Sequence, residues 1–347
     1  MTKIAIALSG GVDSALTACL LKEAGHEVIG VTLKVQHDKD GASVCAGDAA
    51  IEKAAQSAAY LGIPHHVCDV CDDFSNLILK YAWDEYANAR TPSPCVRCNE
   101  RIKFGKLLEF ALSLGCEKMA TGHYARIADY HGIPRIQRGA DPKKDQSYFL
   151  SGLQNHITSK ILFPLGNYEK TKVREMANAY GLPAAKAKDS QNVCITREGQ
   201  TFAETLCDIF DGQIVTGNFI HQGKIIKPHQ GIHKYTIGQR HGLGNLVPTC
   251  IAFVKKIGPN DVEITTNPTE LETCTLQASN VIWHIPDMPS QAMAQIRYRT
   301  PAASAQIKPL ENNRVQITFD APVRAATPGQ IVAIYDHDIV IGRGIID

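Results

Sequence analysis

The first two hundred residues alternate short apolar runs with longer amphipathic stretches. The apolar runs predict strands at 4–8, 28–34, 64–69 and 117–121. The amphipathic stretches predict helices at 15–24, 47–61, 74–88 and 100–114. Such alternation is typical of a parallel sheet covered by helices on both faces, and ligands of such sheets bind at the carboxyl ends of the strands.

From about residue 200 the pattern changes to short β-like runs separated by Gly, Pro and Asn. These runs lie at 224–226, 250–254, 262–265, 294–299, 315–319 and 331–335. Several short strands with turn signals at this spacing are typical of a small barrel. We therefore expect an α/β domain over 1–203, a small β-rich central domain over 204–273 and a C-terminal β-barrel over 274–347.

The predicted helix at 100–114 presents one apolar stripe to the sheet, because its apolar residues recur with helical spacing. The stripe consists of Phe104, Leu107, Leu108 and Ala111. Asn99 is a favourable N-cap residue. We therefore expect Cys98 at the helix N-terminus, where the helix dipole favours a thiolate.

The residues that best indicate chemistry directly follow the first predicted strand, with the sequence S-G-G-V-D-S at 9–14. A strand, a glycine turn and a helix together point backbone N–H groups at an anion, and the two serines add hydroxyl donors. The spacing is not that of the common P-loop, and no Lys-Ser or Lys-Thr pair follows. The motif instead resembles the pyrophosphate loop of ATP pyrophosphatases. An ordinary tight turn would explain one glycine but not the whole motif.

Composition sets broad limits. The chain has 347 residues, 44% hydrophobic and 20% charged, and a formal net charge of +1, which is ordinary for a globular protein. No apolar run approaches the ~18 residues of a membrane span. The chain enters a predicted strand at once, so we expect neither a signal peptide nor a membrane span, and place the protein in the cytoplasm. Its eleven cysteines are then expected to be mostly reduced.

Two cysteine pairs have C-x-x-C spacing. Cys95 and Cys98 follow a stiff T-P-S-P segment, whereas Cys68 and Cys71 end a predicted strand. Four thiolates in two pairs could hold a structural zinc, but the gap between the pairs is long, and packing of Cys68 in the core is favoured. The stretch 90–106 also carries five basic residues against the single acid Glu100. That stretch is either a solvated helix face or a phosphate-facing surface.

Further motifs complete an ordered set: A-T-G-H-Y-A-R at 120–126, K-D-Q-S-Y-F-L at 144–150, F-P-L-G at 163–166, a D-S-x-x-x-C ending at Cys194, T-I-G-Q-R-H-G-L-G at 236–244 and T-P-G-Q at 327–330. With S-G-G-V-D-S and T-P-S-P-C-V-R-C-N-E-R-I-K-F they resemble, over the whole chain, the tRNA-specific 2-thiouridylases (MnmA/TrmU type). The resemblance implies a PP-loop ATP pyrophosphatase domain. It also implies ATP-dependent adenylation of the 2-oxygen of the wobble uridine in tRNAs for Lys, Glu and Gln, followed by sulfur transfer.

The resemblance also implies site residues. ATP, with Mg²⁺, would be bound by Ala7, Leu8, Ser9, Gly10, Gly11, Val12, Asp13, Ser14, Leu33 and Gly122. Cys194 would receive sulfur as a persulfide, Cys98 would attack or resolve it, and with Asp13 they form the expected catalytic set. The tRNA would contact Ser93, Pro94, Cys95, His123, Lys144, Asp145, Gln146, Arg297, Tyr298 and Gln330. The target base would be flipped out of the stack.

The sequence departs from the family pattern at Cys95, where many members have an Asp proposed as an acid–base group. Cys95, Cys98 and Cys194 could instead bind a [4Fe-4S] cluster with one iron left open to carry sulfide. The sulfur source is then a relay protein or cysteine desulfurase for the persulfide route, and inorganic sulfide for the cluster. Ser93 replaces a usual Asn, and the Trp that many members carry after the second strand is missing here.

Two other functions remain alternatives. A small-molecule ATP pyrophosphatase ligase would share the first loop but would not need Cys98, Cys194 or a β-rich RNA-binding tail. A non-catalytic tRNA-binding protein with a structural metal would not need an intact ATP loop. Near-neutral charge predicts that tRNA binding depends on local basic patches and weakens steeply with salt.

Overall fold

The computed structural model describes residues 1–36, 48–186, 193–248 and 250–347. The chain divides into two compact units. Unit 1 consists of Met1–Leu77, Cys95–Glu198 and Asp338–Val340. Unit 2 consists of Ile78–Pro94, Gly199–His337 and Ile341–Asp347. We keep the three-domain division predicted from the sequence as a proposal.

Unit 1 is built on a parallel sheet. Its strands are β1 (Lys3–Ala7), β2 (Glu27–Lys34), β3 (His65–Asp69), β4 (Lys118–Ala120), β5 (Ala125–Tyr130), β6 (Ile133–Arg138) and β7 (Ile161–Leu162). Five of them pair in the order β3-β2-β1-β4-β7, and all four pairings are parallel. The other two, β5 and β6, form an antiparallel hairpin. The predicted parallel sheet is therefore confirmed, with the ends of the predicted strands displaced by at most one residue.

The helices of the chain lie in both units, and those of unit 1 supply the rest of the core around this sheet. The chain forms α1 (Val12–Glu23), α2 (Asp48–Leu61), α3 (Cys71–Phe74), α4 (Tyr81–Ala87), α5 (Pro94–Cys98), α6 (Leu108–Ser113), α7 (Asn155–Thr158), α8 (Lys170–Ala179) and α9 (Phe202–Ile209). Short 3-10 helices lie at Ser147–Leu150, Pro164–Asn167, Pro183–Lys186, Ile232–Lys234 and Pro268–Leu271. In the main core of unit 1, Ile4 and Ile6 of β1 pack with Leu16 of α1 and Val173 of α8.

The helix that carries the C-x-x-C pair begins earlier than the sequence predicts. Helix α5 starts at Pro94 and continues through a π-helical segment (Asn99–Leu107) into α6. Proline suits the first position of a helix because the N–H that it lacks would have no helical partner. The predicted apolar stripe is confirmed, since all four of its side chains are buried. Asn99 is not the N-cap: it lies inside the helix and its amide donates to the carbonyl oxygen of Phe149 at 2.9 Å.

Unit 2 contains a small sheet and most of a barrel. Its strands, with β17 beginning in unit 1, are β8 (Gly217–His221), β9 (Lys224–His229), β10 (Phe253–Ile257), β11 (Val262–Thr265), β12 (Glu272–Trp283), β13 (Gln291–Gln295), β14 (Ala303–Leu310), β15 (Arg314–Arg324), β16 (Ile331–Asp336) and β17 (Ile339–Ile346). The small sheet has the order β10-β11-β8-β9. The barrel has the order β12-β15-β14-β13-β16-β17 and is closed by pairing of β12 with β17. The predicted fold class is confirmed.

Several predicted element boundaries were wrong, and three of them concern residues discussed below. Helix α1 begins at Val12 rather than at 15, so the loop motif itself supplies its first turn. Strand β10 begins at Phe253, leaving Cys250 exposed. Strand β13 ends at Gln295 rather than 299, because the Gln295 amide donates to the carbonyl oxygens of Arg297 and Tyr298, both at 3.0 Å, and stabilises a turn there.

Among the described residues, none of the helices has both the length and the apolar character needed to cross a membrane. Each cysteine that the structure describes is a free thiol.

Candidate active site

The S-G-G-V-D-S loop lies at the carboxyl end of β1 and leads into α1. Gly10 has φ +74°, a conformation that favours glycine, and a Cβ there would lie 2.7 Å from the Cβ of Lys53. The Ser9 backbone N–H donates to the Ser14 hydroxyl at 3.2 Å, and that hydroxyl donates to the Gly11 carbonyl oxygen at 3.0 Å. The loop is therefore fixed in place, with the N-terminus of α1 available to an anion.

The other residues predicted to bind ATP surround this loop. Ala7 ends β1, and the Leu8 backbone N–H donates to the carbonyl oxygen of Val31 on β2 at 2.8 Å. Leu33 lies further along β2, opposite Cys68 of β3. These backbone positions lie on neighbouring strands of one sheet, near the edge where the strands end, so strand pairing alone places them near the loop.

Asp13 carries the charge of the loop and has two partners that the sequence analysis missed. The ammonium of Lys170, the first residue of α8, lies 2.7 and 2.8 Å from its two carboxylate oxygens. The hydroxyl of Tyr124 donates to the same carboxylate at 2.7 Å. Lys170 is 8% exposed, and a lysine so buried is unusual without a partner. The only sequence signal for it is its position shortly after the F-P-L-G motif.

Gly122 touches the loop directly. A Cβ at Gly122 would lie 2.9 Å from the Cβ of Asp13 and 3.1 Å from the backbone nitrogen of Ser14. Only a glycine allows the chain after β4 to come this close to the N-terminus of α1. The structure therefore brings Gly122 to the predicted nucleotide site by packing it against the loop itself.

The three cysteines predicted for sulfur chemistry belong to unit 1 and interact with one another. Desolvation raises the pKa of Cys98 to about 11, with Cys95 adding to the shift. Desolvation, followed by the electrostatic effects of Cys98 and Cys95, raises the pKa of Cys194 to about 12. The pKa of Cys95 is also raised by desolvation. Cys194 itself is exposed at the protein surface.

The expectation that Cys98 is a stabilised thiolate at a helix N-terminus was wrong. Cys98 is the fifth residue of a helix that starts at Pro94, so the first turn, where the dipole acts most strongly, lies before it. Burial outweighs what remains of the dipole. We therefore expect Cys98 to be protonated in this conformation.

Lys103 is the cation shared by this group. It lowers the pKa of each of the three thiols, although less than burial raises it. Burial, and to a smaller extent the same ammonium, hold the pKa of His123 well below its usual range, so His123 is neutral. Its ring lies 5.9 Å from those of Phe104 and Phe163. Because His123 follows Gly122, one segment connects the pyrophosphate loop with the thiols.

The possible ligands of a metal or cluster are the His, Cys, Asp and Glu side chains. Across the parts of the chain that the structure describes, no group of three or more His, Cys, Asp or Glu side chains is placed to hold a metal ion. The thiols of Cys95, Cys98 and Cys194 are the donor type that a [4Fe-4S] cluster takes, and binding would displace their protons, but among the described residues they are not arranged as a metal site. Cys68 is packed in β3 at 7% exposure, and the Cys71 thiol donates to the Lys34 carbonyl oxygen at 3.6 Å.

Asp145 and Gln146, both predicted to contact tRNA, make structural contacts. The Asp145 carboxylate accepts hydrogen bonds from Arg138 at 2.9 Å and from the Ser147 hydroxyl at 2.8 Å. The Gln146 side-chain oxygen accepts the Tyr124 backbone N–H at 2.9 Å. These bonds organise the loop that exposes part of Lys144. The carboxylate and the amide therefore position the loop.

In unit 2 the structure joins the T-P-S-P and T-P-G-Q motifs. The Gln330 side-chain amide donates to the carbonyl oxygens of Thr91 and Pro92, both at 3.0 Å. The Ser93 hydroxyl accepts the Ile331 backbone N–H at 3.2 Å. We call this contact between 91–93 and 330–331 the clasp. It fixes Ser93, and with it the approach to Pro94, which starts α5.

The last two predicted tRNA contacts also lie in unit 2. The Arg297 guanidinium donates to the carbonyl oxygen of Ile237 at 2.7 Å and to the hydroxyl of Thr327. Tyr298 lies in the turn after β13, half-buried beside it. Arg297 therefore fixes the T-I-G-Q loop to the T-P-G-Q loop.

Comparison with known proteins gives full-length similarities. A family model described as "tRNA methyl transferase HUP domain" matches residues 2–198, and one described as "Aminomethyltransferase beta-barrel domain" matches 273–346. A protein named tRNA-specific 2-thiouridylase MnmA from Trichormus variabilis is 39% identical over 356 residues, covering 100% of this chain and 99% of the relative. A tRNA-specific 2-thiouridylase MnmA 2 from Caldanaerobacter subterraneus is 40% identical, covering 99% and 98%. A third, from Geobacillus thermodenitrificans, is 37% identical and covers 100% and 95%.

Proposed function

The chain belongs to the family of tRNA-specific 2-thiouridylases, and on that premise we propose that it replaces the 2-oxygen of the wobble uridine with sulfur in tRNAs for Lys, Glu and Gln, using ATP. One observation carries the proposal beyond the family name. Unit 1 contains both a fixed pyrophosphate loop, with Lys170 on Asp13, and three interacting thiols around Lys103.

In the first step the uracil 2-oxygen attacks the α-phosphorus of ATP and pyrophosphate leaves. The backbone N–H groups of the loop and the start of α1 stabilise the phosphate charge that develops. Lys170 adds a cation that is already in place, so little reorganisation is needed. The product carries AMP on the 2-oxygen, which converts a poor leaving group into a good one.

Mg²⁺ is proposed to accompany ATP. Asp13 supplies one carboxylate next to the loop, and Mg²⁺ usually takes one or two protein carboxylates together with substrate phosphates and water. When bound, the ion would neutralise phosphate charge. Because Lys170 already contacts both oxygens of Asp13, the ion would be held mainly by the phosphates of ATP and by water, with Asp13 adding negative charge nearby.

In the second step the terminal sulfur of a persulfide on Cys194 attacks C2 of the adenylated uracil, and AMP leaves. The Cys98 thiolate then attacks the Cys194 sulfur, releasing 2-thiouridine and forming a Cys98–Cys194 disulfide. An external dithiol reduces this disulfide for the next cycle. A relay protein or cysteine desulfurase supplies the persulfide. We place the reaction in the cytoplasm, because a thiol-based cycle suits a reducing compartment.

The thiols start this cycle protonated. The reaction therefore needs their thiolates to be stabilised, and Lys103 is the cation that already lowers the pKa of all three thiols. Cys95, which stands where many members have Asp, lies in the same group and shares the raised pKa. A neutral thiol at Cys95 cannot act as the carboxylate base of those members.

The test uses protein purified without oxygen, with ATP and unmodified tRNA. We expect pyrophosphate release that depends on tRNA, and formation of 2-thiouridine from a persulfide donor. A matched control is Cys250→Ser, which removes an exposed thiol of unit 2 and should retain wild-type thiolation. Pyrophosphate release that needs no tRNA would favour the small-molecule ligase. Binding of tRNA by the wild type without pyrophosphate release or 2-thiouridine formation would favour the non-catalytic tRNA-binding protein.

The same preparation tests the cluster route. We expect a colourless protein without iron, whose thiolation survives iron chelation. A visible charge-transfer band, iron in the protein and loss of activity on chelation would instead make Cys95, Cys98 and Cys194 cluster ligands, with inorganic sulfide as the donor.

A further inference from the structure

Unit 2 contains a cavity whose lining includes none of the site residues predicted from the sequence. Its volume is about 500 Å³, and its lining residues are Gly238, Gln239, Arg240, His241, Phe253 and Arg324. Ligand sites of proteins commonly have volumes of ~300–1,000 Å³. The first four residues belong to the T-I-G-Q-R-H-G-L-G motif, to which the proposed reaction assigns no role.

The walls of this cavity are held together by the backbone. The Gly238 N–H donates to the Val254 carbonyl oxygen at 2.8 Å, and the Val254 N–H donates to the Gln239 carbonyl oxygen at 2.9 Å. The motif therefore runs beside β10. Gly238 has φ +82°, and a Cβ there would lie 2.9 Å from the Cβ of Ala325. The loop therefore packs directly on Ala325, the residue that follows Arg324.

The side chain of Gln239 fixes the shape of the loop. Its amide oxygen accepts the Thr236 N–H at 3.0 Å, and its amide nitrogen donates to the His241 carbonyl oxygen at 3.0 Å. Both ends of the turn are therefore bonded to one side chain. Gln239 is a positioning residue that keeps Arg240 at the cavity.

The guanidinium groups of Arg240 and Arg324 line this cavity and keep N–H groups available for a ligand. Arg324 lies 5.0 Å above the ring of Phe253, and such stacking fixes the plane of a guanidinium while its N–H edge stays available. Arg240 donates its Nε hydrogen to the His241 Nε2 at 3.1 Å, which leaves its terminal N–H groups. Neither arginine forms an ion pair with an acid among the residues that the structure describes.

Planar, pre-oriented guanidinium groups without acidic partners recognise phosphate through paired hydrogen bonds. Arg240, His241 and Arg324 are exposed, so a long polyanion can reach them. Arg297 bonds the carbonyl oxygen of Ile237, so the same loop is fixed to a residue expected to contact tRNA. We propose that this cavity binds a backbone phosphate of the tRNA substrate through Arg240 and Arg324, an inference that rests on the proposed function.

The test measures tRNA affinity of the full chain between 50 and 200 mM salt, with wild type, R240A/R324A, Arg324→Lys and Lys308→Ala. Each phosphate contact contributes ~0.9 to the slope of log affinity against log salt. We expect the double variant to bind tRNA roughly 10- to 100-fold more weakly, with a slope reduced by about one. Arg324→Lys keeps the charge but loses the paired donors of the guanidinium, so its affinity for tRNA should lie between those of the wild type and the double variant. Lys308→Ala removes an exposed cation of unit 2 outside the cavity and should change affinity less than about twofold.

The outcomes separate the two proposals. If wild type thiolates tRNA but R240A/R324A binds it with the wild-type affinity and salt slope, the cavity proposal is overturned and the proposed function stands. If wild type shows no tRNA-dependent thiolation, both fall. A folded double variant, judged by a wild-type melting temperature, with weaker binding and a raised KM for tRNA but not for ATP supports the cavity. A wild-type KM for tRNA in that variant contradicts it.

Discussion

The pyrophosphate loop and the three thiols of unit 1 differ in the charge state of their reactive groups. At the loop, Asp13 is paired with Lys170 at 2.7 Å and the backbone is fixed by Ser14. At the thiols, desolvation raises the pKa of Cys98 to about 11 and, together with the electrostatic effects of Cys98 and Cys95, that of Cys194 to about 12. One site is arranged for its ligand, whereas the other holds its nucleophiles protonated.

This difference fits the order of the proposed steps. A thiolate that forms before the uracil is adenylated would be exposed to oxidation without a target. Desolvation of Cys98 and Cys194 suppresses that premature reactivity, while Lys103 remains close enough to stabilise the thiolate. The comparison therefore predicts that adenylation and sulfur transfer can be separated by mutation.

The largest expected effect separates the two sites. Cys98→Ser or Cys194→Ser should reduce 2-thiouridine formation on the order of 10³-fold or more, because serine forms neither a persulfide nor a disulfide. A single-turnover burst of tRNA-dependent pyrophosphate should remain near wild type. Quench-flow experiments measure the pyrophosphate burst, and mass spectrometry of the tRNA nucleosides measures 2-thiouridine. Loss of the burst in these variants would show that the two sites do not act independently.

Lys170→Ala should impair the adenylation step at the pyrophosphate loop. It removes a buried cation from Asp13 and should lower tRNA-dependent pyrophosphate release about 10²- to 10³-fold. Lys172→Ala is the matched control, since Lys172 lies on the same helix in an exposed pair with Glu175 and should change the rate less than about twofold. Equal rates for the two variants would remove Lys170 from the site.

The protonated state of the thiols can be measured by alkylation. Because the pKa of Cys98 is raised, its thiolate fraction should increase about tenfold per pH unit up to pH ~11, whereas free cysteine levels off near pH ~8.5. At pH 7 Cys98 should therefore react about 10²-fold more slowly than free cysteine. Iodoacetamide labelling followed by peptide mass spectrometry gives these rates. A Cys98 that reacts at pH 7 as fast as free cysteine would contradict the comparison.

The smallest expected effect concerns the clasp of unit 2. Gln330→Leu removes the two hydrogen bonds to Thr91 and Pro92 and should destabilise the protein by about 2 kcal/mol, lowering its melting temperature by roughly 2–8 °C. Gln306→Leu, on an exposed position of β14, is the control and should leave it nearly unchanged. Weaker tRNA binding by Gln330→Leu at an unchanged melting temperature would make Gln330 an RNA contact rather than a structural residue.

Much of unit 1 could be predicted from local sequence. The apolar runs gave the parallel strands, since a buried strand needs only a short stretch of apolar residues. Its boundaries were less predictable. Helix α5 begins at Pro94 because proline suits a first turn, while Asn99, a good N-cap by composition, bonds Phe149 instead. The turn that ends β13 depends on one side chain, Gln295, and leaves no periodic signal.

By itself, the sequence determined the fold class, the pyrophosphate loop and which cysteines are candidates for sulfur chemistry, because these depend on residue type and short spacing. The tertiary structure alone decided the partners and charge states. It brought Lys170 onto Asp13 across 157 positions and Gln330 onto Thr91 across 239. It also reversed the expected state of Cys98. Long-range packing sets which groups are desolvated and paired, and desolvation outweighs the helix dipole at Cys98.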